Sequence, residues 1–474
     1  MKFKIAIIFL VLIFISTAGI GCKGGDSAAK KAIIEPITLN IWGLYDSSDN
    51  FKKIIDAYRI THPNITIKFT KIRPEEYEKK LIDNWAADTG PDIFVVHNSW
   101  LGKYENKILP LPASVKLPAL EVTGTLKKEV TAVIKESPTL TTYQLRDLFP
   151  EVVYKDAVRQ NQIYGLPLAL DTLALFYNRD LFNAAGITNP PTTWEEVKIM
   201  SKKIKITNEL GEINRAGIAM GGADNINRFF DIISLLMAQN NTSMVTNKGT
   251  ATFNQPAAVK NSSGQKIYPG EEALRFYTSF ALPSTEAYTW NNTLPEAFEM
   301  FSAGRLAMMF GYAYQIPLLK AQAPRINWGL TGVPHLNVNG TDALGLPVNR
   351  ASYWLYTVYK NTPAPNEAWD FINFMATKTY RDEENKLKYN VESYLESTQY
   401  PPALKNLISA YKTKNPELAP FADQILTADS WYRGKNYAAA IETFRQMINN
   451  VISGRVKTLG DALNSAASAV SQTY

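Results

Sequence analysis

The chain has 474 residues, 46% of them hydrophobic and 20% charged, a globular composition long enough for two or more lobes. Its 50 Lys and Arg exceed its 44 Asp and Glu by six, and by four once Lys2 and Lys4 are set aside, a surplus too small and dispersed to argue for a nucleic-acid partner. The three histidines (His62, His97, His335) are widely spaced and form no metal-ligand cluster. With no internal repeat or Gly-rich phosphate loop either, no metal and no cofactor is expected.

Lys2 and Lys4 precede the apolar run IAIIFLVLIFI (5–15). This suits the core of a signal peptide and falls short of the roughly 20 residues needed to span a bilayer, although a short membrane anchor is the alternative. Small residues follow up to Cys22, the only cysteine, so no intrachain disulfide is possible. Gly21-Cys22 resembles the cleavage and acylation site of bacterial lipoproteins, with Gly19 standing where that group usually has Leu or another aliphatic. The resemblance implies removal of residues 1–21 and a lipid (palmitate) anchor on Cys22. Residues 22–36, containing KGGDSAAKKA, read as a flexible tether. No second long apolar stretch follows, so the body is expected to be soluble.

ITLNIWGLY (37–45) reads as a strand, and DSSDN (46–50) as a turn and helix cap. Phe51, Ile54, Ile55 and Tyr58 then recur at helical spacing. His62-Pro63-Asn64 breaks that helix before the strand ITIKFTKI (65–72). Tyr77, Leu81 and Trp85 mark a second helix, and Thr89-Gly90-Pro91-Asp92 turns into the buried strand IFVV (93–96). Strands alternating with helices predict a parallel α/β sheet. Ligands gather at the carboxyl ends of such strands, here Leu44-Tyr45-Asp46 and His97-Asn98-Ser99-Trp100. Residues 111–150, polar and patchily periodic, read as helices and loops.

In YGLPLALDTLALFYNRDLFNAAGI (164–187) Asp171 interrupts an apolar run, and its carboxylate must find partners or water. LALDTLALFYN is long for one strand, as a segment made of two strand halves bridging two sheets would be. Pro190-Pro191 stops what precedes, and Thr193 with Glu196 forms a capping box for the next helix. EAFEMFSAGRLAMMFGYAY (296–314) passes from helix through Gly304 into a strand ending at Gly311. ALGLPVNRASYWLYTVYKN (343–361) reads as strands. Ala368, Phe371, Ile372 and Met375 define another helix. Ile441, Phe444, Ile448 and Val451 define one more, closed by Gly454, before Thr458 starts the last.

Taken in this order, GPDI (90–93), the 164–187 segment with PPTTWEEV, FSAGRLAMMFGY (301–312) and ISGRVKTLGDALNSA (452–466) resemble the extracellular solute-binding proteins of bacterial ABC importers, nearest the maltose and general-sugar binders. The resemblance runs from Ile37 to about Val470. It implies an α/β, two-lobed fold of the periplasmic-binding-protein type (type 2), each lobe a sheet flanked by helices, with a ligand cleft between. Lobe 1 is expected to comprise residues 37–170 plus about 352–395, and lobe 2 residues 172–350 plus about 396–474.

The same resemblance implies site residues. Asp171 matches an acidic residue that faces the cleft at the lobe crossover, where a carboxylate accepts hydrogen bonds from neighbouring sugar hydroxyls; otherwise backbone amides at a strand break would satisfy it. Asp46 matches an acidic ligand contact after the first strand, or caps the helix around Phe51. Asn98 and Trp100 stand where polar and aromatic contacts occur, or cover a core edge. Tyr312 and Tyr314 occupy the segment of a stacking aromatic, commonly Trp, which can lie on the C–H face of a sugar ring. Trp290 and Trp431, which the family motif does not fix, are candidate platforms by residue type and polar surroundings, or helix-packing residues. Asn225 and Arg228 are further second-lobe candidates, or turn and surface residues.

The implied function is capture of a small solute, a sugar or oligosaccharide, by a monomeric protein anchored outside the cytoplasm, and its delivery to ABC-transporter permease subunits. No catalytic set of His, Ser or Cys converges. A glycoside hydrolase with paired carboxylates and a polysaccharide-binding scaffold remain open alternatives, as do peptide or polyamine ligands.

Overall fold

The computed structural model describes residues 35–123, 129–336 and 347–474. The leader, Cys22, the tether up to residue 34 and positions 343–346 lie outside the described residues.

Strand β1 (Ile37–Gly43) buries Leu39 and Ile41. Helix α1 (Ser48–Thr61) turns Phe51, Ile54 and Tyr58 inward, each side chain worth about 1.5–3 kcal/mol when fully buried, and Ile55 packs at the edge of that stripe. β2 (Ile65–Lys71) follows. α2 (Pro74–Ala86) starts on Pro74, where the missing N–H costs nothing, and buries Tyr77, Leu81 and Trp85. β3 (Ile93–His97) leads to β4 (Ile108–Leu109).

Residues 111–150 depart from the expectation of helices and loops. β5 (Ser114–Thr123) and β6 (Glu129–Pro138) pair antiparallel as a long two-stranded ribbon. Only then do α3 (Thr142–Leu148) and α4 (Glu151–Ala157) follow. The alternation is present, with Val115 and Leu117 buried and Lys116 exposed. Adjacent apolar residues, Ala119-Leu120 and Ala132-Val133-Ile134, interrupt the alternation and leave only a faint period of two.

The segment around Asp171 is three short strands: β7 (Leu166–Pro167), β8 (Asp171–Thr172) and β9 (Ala174–Asn178). Next come α5 (Trp194–Ile204), β10 (Ile206–Thr207), β11 (Ile213–Ile218), α6 (Phe229–Gln239), α7 (Ala297–Ser302), β12 (Leu306–Gly311) and β13 (Trp328–Thr331). The capping box at α5 is formed: Thr193 Oγ1 accepts from the Glu196 N–H at 3.2 Å, and Glu196 Oε2 accepts from the Thr193 N–H at 3.1 Å. The chain ends with β14 (Asn349–Ser352), β15 (Trp354–Tyr359), α8 (Pro365–Ala376), β16 (Ala428–Asp429), α9 (Tyr437–Ile452) and α10 (Leu459–Ser471). Gly304 after α7 and Gly454 after α9 adopt φ of 71° and 67°, the left-handed turn that ends a helix most cheaply at glycine.

Three sheets organise these elements. The first has the order β2-β1-β3-β15-β4, with β7 also on β15; the second is β10-β11-β12-β9-β13; a small third, β8-β14-β16, joins them. The first sheet is mixed rather than parallel. β1 runs parallel to β2 and β3, but β15 arrives from the small third sheet and pairs antiparallel with β3, β4 and β7. Residues 164–178 therefore contribute to all three sheets in turn.

Three stretches of chain lie side by side where the large sheets meet. β7-β8-β9 is one, β14-β15 the second. Pro401 and Pro402 belong to the third: the Leu170 N–H donates to the Pro401 carbonyl at 3.0 Å, and Ala169 bridges Pro402.

Candidate functional site

Asp171 sits at this junction. Its Oδ2 accepts the Ala313 N–H at 2.7 Å, and Oδ1 is buried with no partner among the described residues. Burial pushes the carboxyl up to about 8, against the opposing pull of backbone N–H groups and of the Arg228 charge. One oxygen thus performs the backbone-satisfying role open to a strand-break Asp, and the other is left for something else.

Asp171 lines a cavity of about 180 Å³ together with Tyr45, Asp46, Tyr314 and Trp354. The Asp46 carboxylate is held by two tyrosines, Tyr394 Oη on Oδ1 and Tyr356 Oη on Oδ2, both at 3.1 Å. The alternative helix-capping role belongs to its neighbour: Ser47 is the N-cap of α1, its N–H donating to Asn50 Oδ1 at 2.8 Å. Burial raises the Asp46 carboxyl, partly offset by the two tyrosine hydroxyls.

Aromatic rings form a continuous wall. Tyr45 stacks on Tyr314 (centroids 6.3 Å apart, planes at 25°) and meets Trp354 at 5.8 Å; Trp354 in turn meets Trp100 edge-on at 5.4 Å. Tyr45, after β1, and Tyr314, after β12, come from the two different large sheets.

A second cavity, of about 270 Å³, adjoins the first and shares His97, Arg228, Ser352 and Trp354 with it. Asn98, Trp100 and Trp431 line it. His97 bonds Ser99 Oγ at 2.7 Å and Ser352 Oγ at 3.1 Å, and burial holds its imidazole down at about 3, so it is neutral. It also caps the short turn 98–100 by accepting the Ser99 N–H. Asn98 donates to Asp156 Oδ2 at 3.0 Å and leaves Oδ1 unpaired. Asp156, 1% exposed, also accepts from Tyr353 Oη (2.8 Å), Ser430 Oγ (2.5 Å) and Arg433 Nε (3.0 Å).

Of the sequence-derived site residues, Asp46, Asp171 and Tyr314 meet at the first cavity, Asn98, Trp100 and Trp431 at the second, and Arg228 at both. Three do not join them. Tyr312 is 1% exposed, packed in the core with the Arg228 guanidinium 5.6 Å from its ring centroid. Strand alternation would put both on one side, but β12 ends at Gly311 and the chain turns at once, the Gln315 N–H donating to the Tyr312 carbonyl at 3.0 Å, so the two rings leave in different directions. Trp290 is fully buried and donates Nε1 to Asn225 Oδ1 at 2.8 Å, while Asn225 Nδ2 ties the carbonyls of Asn291 and Leu294. That pair fastens a loop and lines neither cavity.

Trp354 and Arg350, both at the cavities, are not among the sequence-derived site residues, and Tyr45 enters there only as part of the loop Leu44-Tyr45-Asp46. Arg350 carries the same signal as Asp171, a charge inside a strand-like run. Among the described residues no group of three or more His, Cys, Asp and Glu is arranged to hold a metal ion, and no helix is long and apolar enough to cross a membrane.

Comparison with known proteins agrees with this architecture. The family model described as bacterial extracellular solute-binding protein matches residues 45–382. A Brucella abortus (strain 2308) protein is 23% identical over 332 residues, 70% of this chain and 69% of its own. The multiple sugar-binding protein of Streptococcus mutans is 22% identical over 316 residues, 66% and 68% of the two chains. Among solved structures, the cyclic alpha-maltosyl-1,6-maltose binding protein of Arthrobacter globiformis superposes with a TM-score of 0.70 at 20% identity, covering 92% of this chain and 99% of that one.

Proposed function

Because the chain belongs to the bacterial extracellular solute-binding protein family, we propose that its solute is a sugar or oligosaccharide, held non-covalently between two lobes and passed to ABC-transporter permease subunits. The observation that carries this reading is the aromatic wall Tyr314–Tyr45–Trp354–Trp100 set beside the carboxyl groups of Asp46 and Asp171. Rings bury the apolar C–H face of a pyranose, and carboxyl oxygens accept from the hydroxyls around its edge. Rings beside carboxylates also suit an ammonium group, but the Arg228 guanidinium lining the same cavity works against a polyamine. Together the cavities span about 450 Å³, within the roughly 300–1,000 Å³ usual for small-molecule sites.

In this reading Asp46, Asp171 and Tyr314 contact the solute in one compartment, and Asn98, Trp100 and Trp431 in the other. Lobe 1 is 37–170 plus about 352–395 and lobe 2 is 172–350 plus about 396–474, with the junction strands as hinge. Cys22 carries the lipid that keeps a monomeric protein at the outer face of the membrane, and no chemical step follows binding. A thermal-shift screen against sugars, peptides and polyamines tests the reading: sugars are expected to raise the melting temperature and to be recovered intact. A shift with polyamines alone would overturn the solute class, and released reducing ends would overturn the non-catalytic role.

A further inference from the structure

The charges around the second cavity are unevenly matched. Asp224 pairs with Arg445 at 3.3 Å, Asp429 with Lys155 at 3.3 Å and Asp231 with Arg228 at 3.5 Å. Arg350 is the exception. It is 4% exposed and lines the cavity from β14, where it stands in register with Asp429 on β16. Its Nη2 donates to the Ser234 carbonyl at 2.5 Å. Nε and Nη1 are buried without an acceptor, and no carboxylate among the described residues lies within ion-pair distance. Arg228, which lines both cavities, likewise has an unpaired Nε.

A guanidinium does not shed its proton to escape such a site. Its desolvation, with two N–H groups unmatched, is among the costlier arrangements a fold can hold. The fields of Asp231 and Asp429 offset part of that cost, yet buried Arg350 with the half-buried pair Arg228 and Asp231 keeps one positive charge in excess. A structural role in binding the Ser234 carbonyl needs one donor. It leaves the rest of a planar, five-donor fork unused beside a cavity.

We propose that the second cavity is an anion subsite, in which Arg350 with Arg228 receives a carboxylate or phosphate carried by a saccharide whose neutral rings lie along Tyr314, Tyr45 and Trp354. This rests on the carbohydrate reading above and narrows it to acidic saccharides, such as uronosyl-containing ones. It also orients the ligand, with the anionic end toward Trp431 and the neutral end toward Asp46.

Calorimetric titration of the full-length protein with matched probes tests it. The probes are maltose, cellobiose and mannobiose, each beside its counterpart oxidised to a carboxylate at one C6 and its 6-phosphate. At least one acidic member is expected to bind about tenfold or more tighter than its neutral parent, the scale of a charge-assisted hydrogen bond; carboxylate and phosphate arms tell the two sources apart. Arg350→Gln should erase that gain and leave the neutral parent's affinity within about twofold. Equal binding of neutral and acidic members overturns the subsite while leaving the carbohydrate reading intact, as does an Arg350→Gln variant that weakens both alike. Failure of every saccharide to bind overturns both. Should Arg350→Gln not fold, the acid-to-neutral ratio on the unaltered protein still decides, and Arg350→Lys, charged but without the fork, is expected to keep only part of the gain.

Discussion

Asp171 holds a proton that an exposed carboxyl would lose. With its carboxyl pushed up to about 8 by burial, the folded chain binds this proton across a range where the unfolded chain, near ~3.9, has released it. The group's contribution to stability therefore falls as pH rises from about 4 through about 8. Asp171→Asn, unable to ionise, should gain melting temperature relative to the parent near about pH 8.5 and lose that advantage near about pH 5. An identical difference at both values would mean that the carboxyl is solvated. In the sequence this position was legible, because a charge inside an apolar run demands an explanation. Arg350 offered the same signal on the neighbouring strand. It was masked by the polar residues around it in LPVNRAS, which read as the approach to a strand rather than its interior.

Elements were legible in proportion to the strength of their periodicity. α1 and α2 each turn three large side chains onto one face, and the α5 capping box is written in residues 193–196. Thr193→Ala removes one half of that box and should cost about 1 kcal/mol in urea unfolding without changing ligand affinity; a loss below about 0.3 kcal/mol would show that tertiary packing alone fixes this helix. Trp194, the first residue of α5, donates Nε1 to Gln239 Oε1 on α6 at 2.7 Å, so the cap also sets the start of a buried contact. The β5–β6 ribbon was illegible because adjacent apolar residues interrupt its alternation. The crossover was half legible. Its length betrayed a bridge between sheets, but a third sheet made of strands two to four residues long leaves no periodic trace.

At the scale of the whole molecule, the site is an encounter between distant parts of the chain. Asp46 is held by Tyr356 and Tyr394, 310 and 348 residues away, and nothing local in any of those residues announces the pairing. Tyr45 and Tyr314 stack on each other from different sheets, so a ligand lying along both rings ties the sheets together. Saturating ligand should therefore reduce the radius of gyration in small-angle X-ray scattering. At a hundredfold excess over Kd it should add about 2.7 kcal/mol of stability. An unchanged radius with bound ligand would argue against closure about the three junction segments.

The Asp156 cluster has a consequence for how the chain comes together in time. Its four donors lie 58, 197, 274 and 277 residues further along or back in sequence. During synthesis the carboxylate emerges long before Tyr353, Ser430 and Arg433 exist to receive it, so α4 cannot settle into its final environment early without an uncompensated charge. Contacts of such separation form slowly, because a long loop must close before they repay it. The environment of α4 is thus completed only once residues 430–433 have been made and brought back to it.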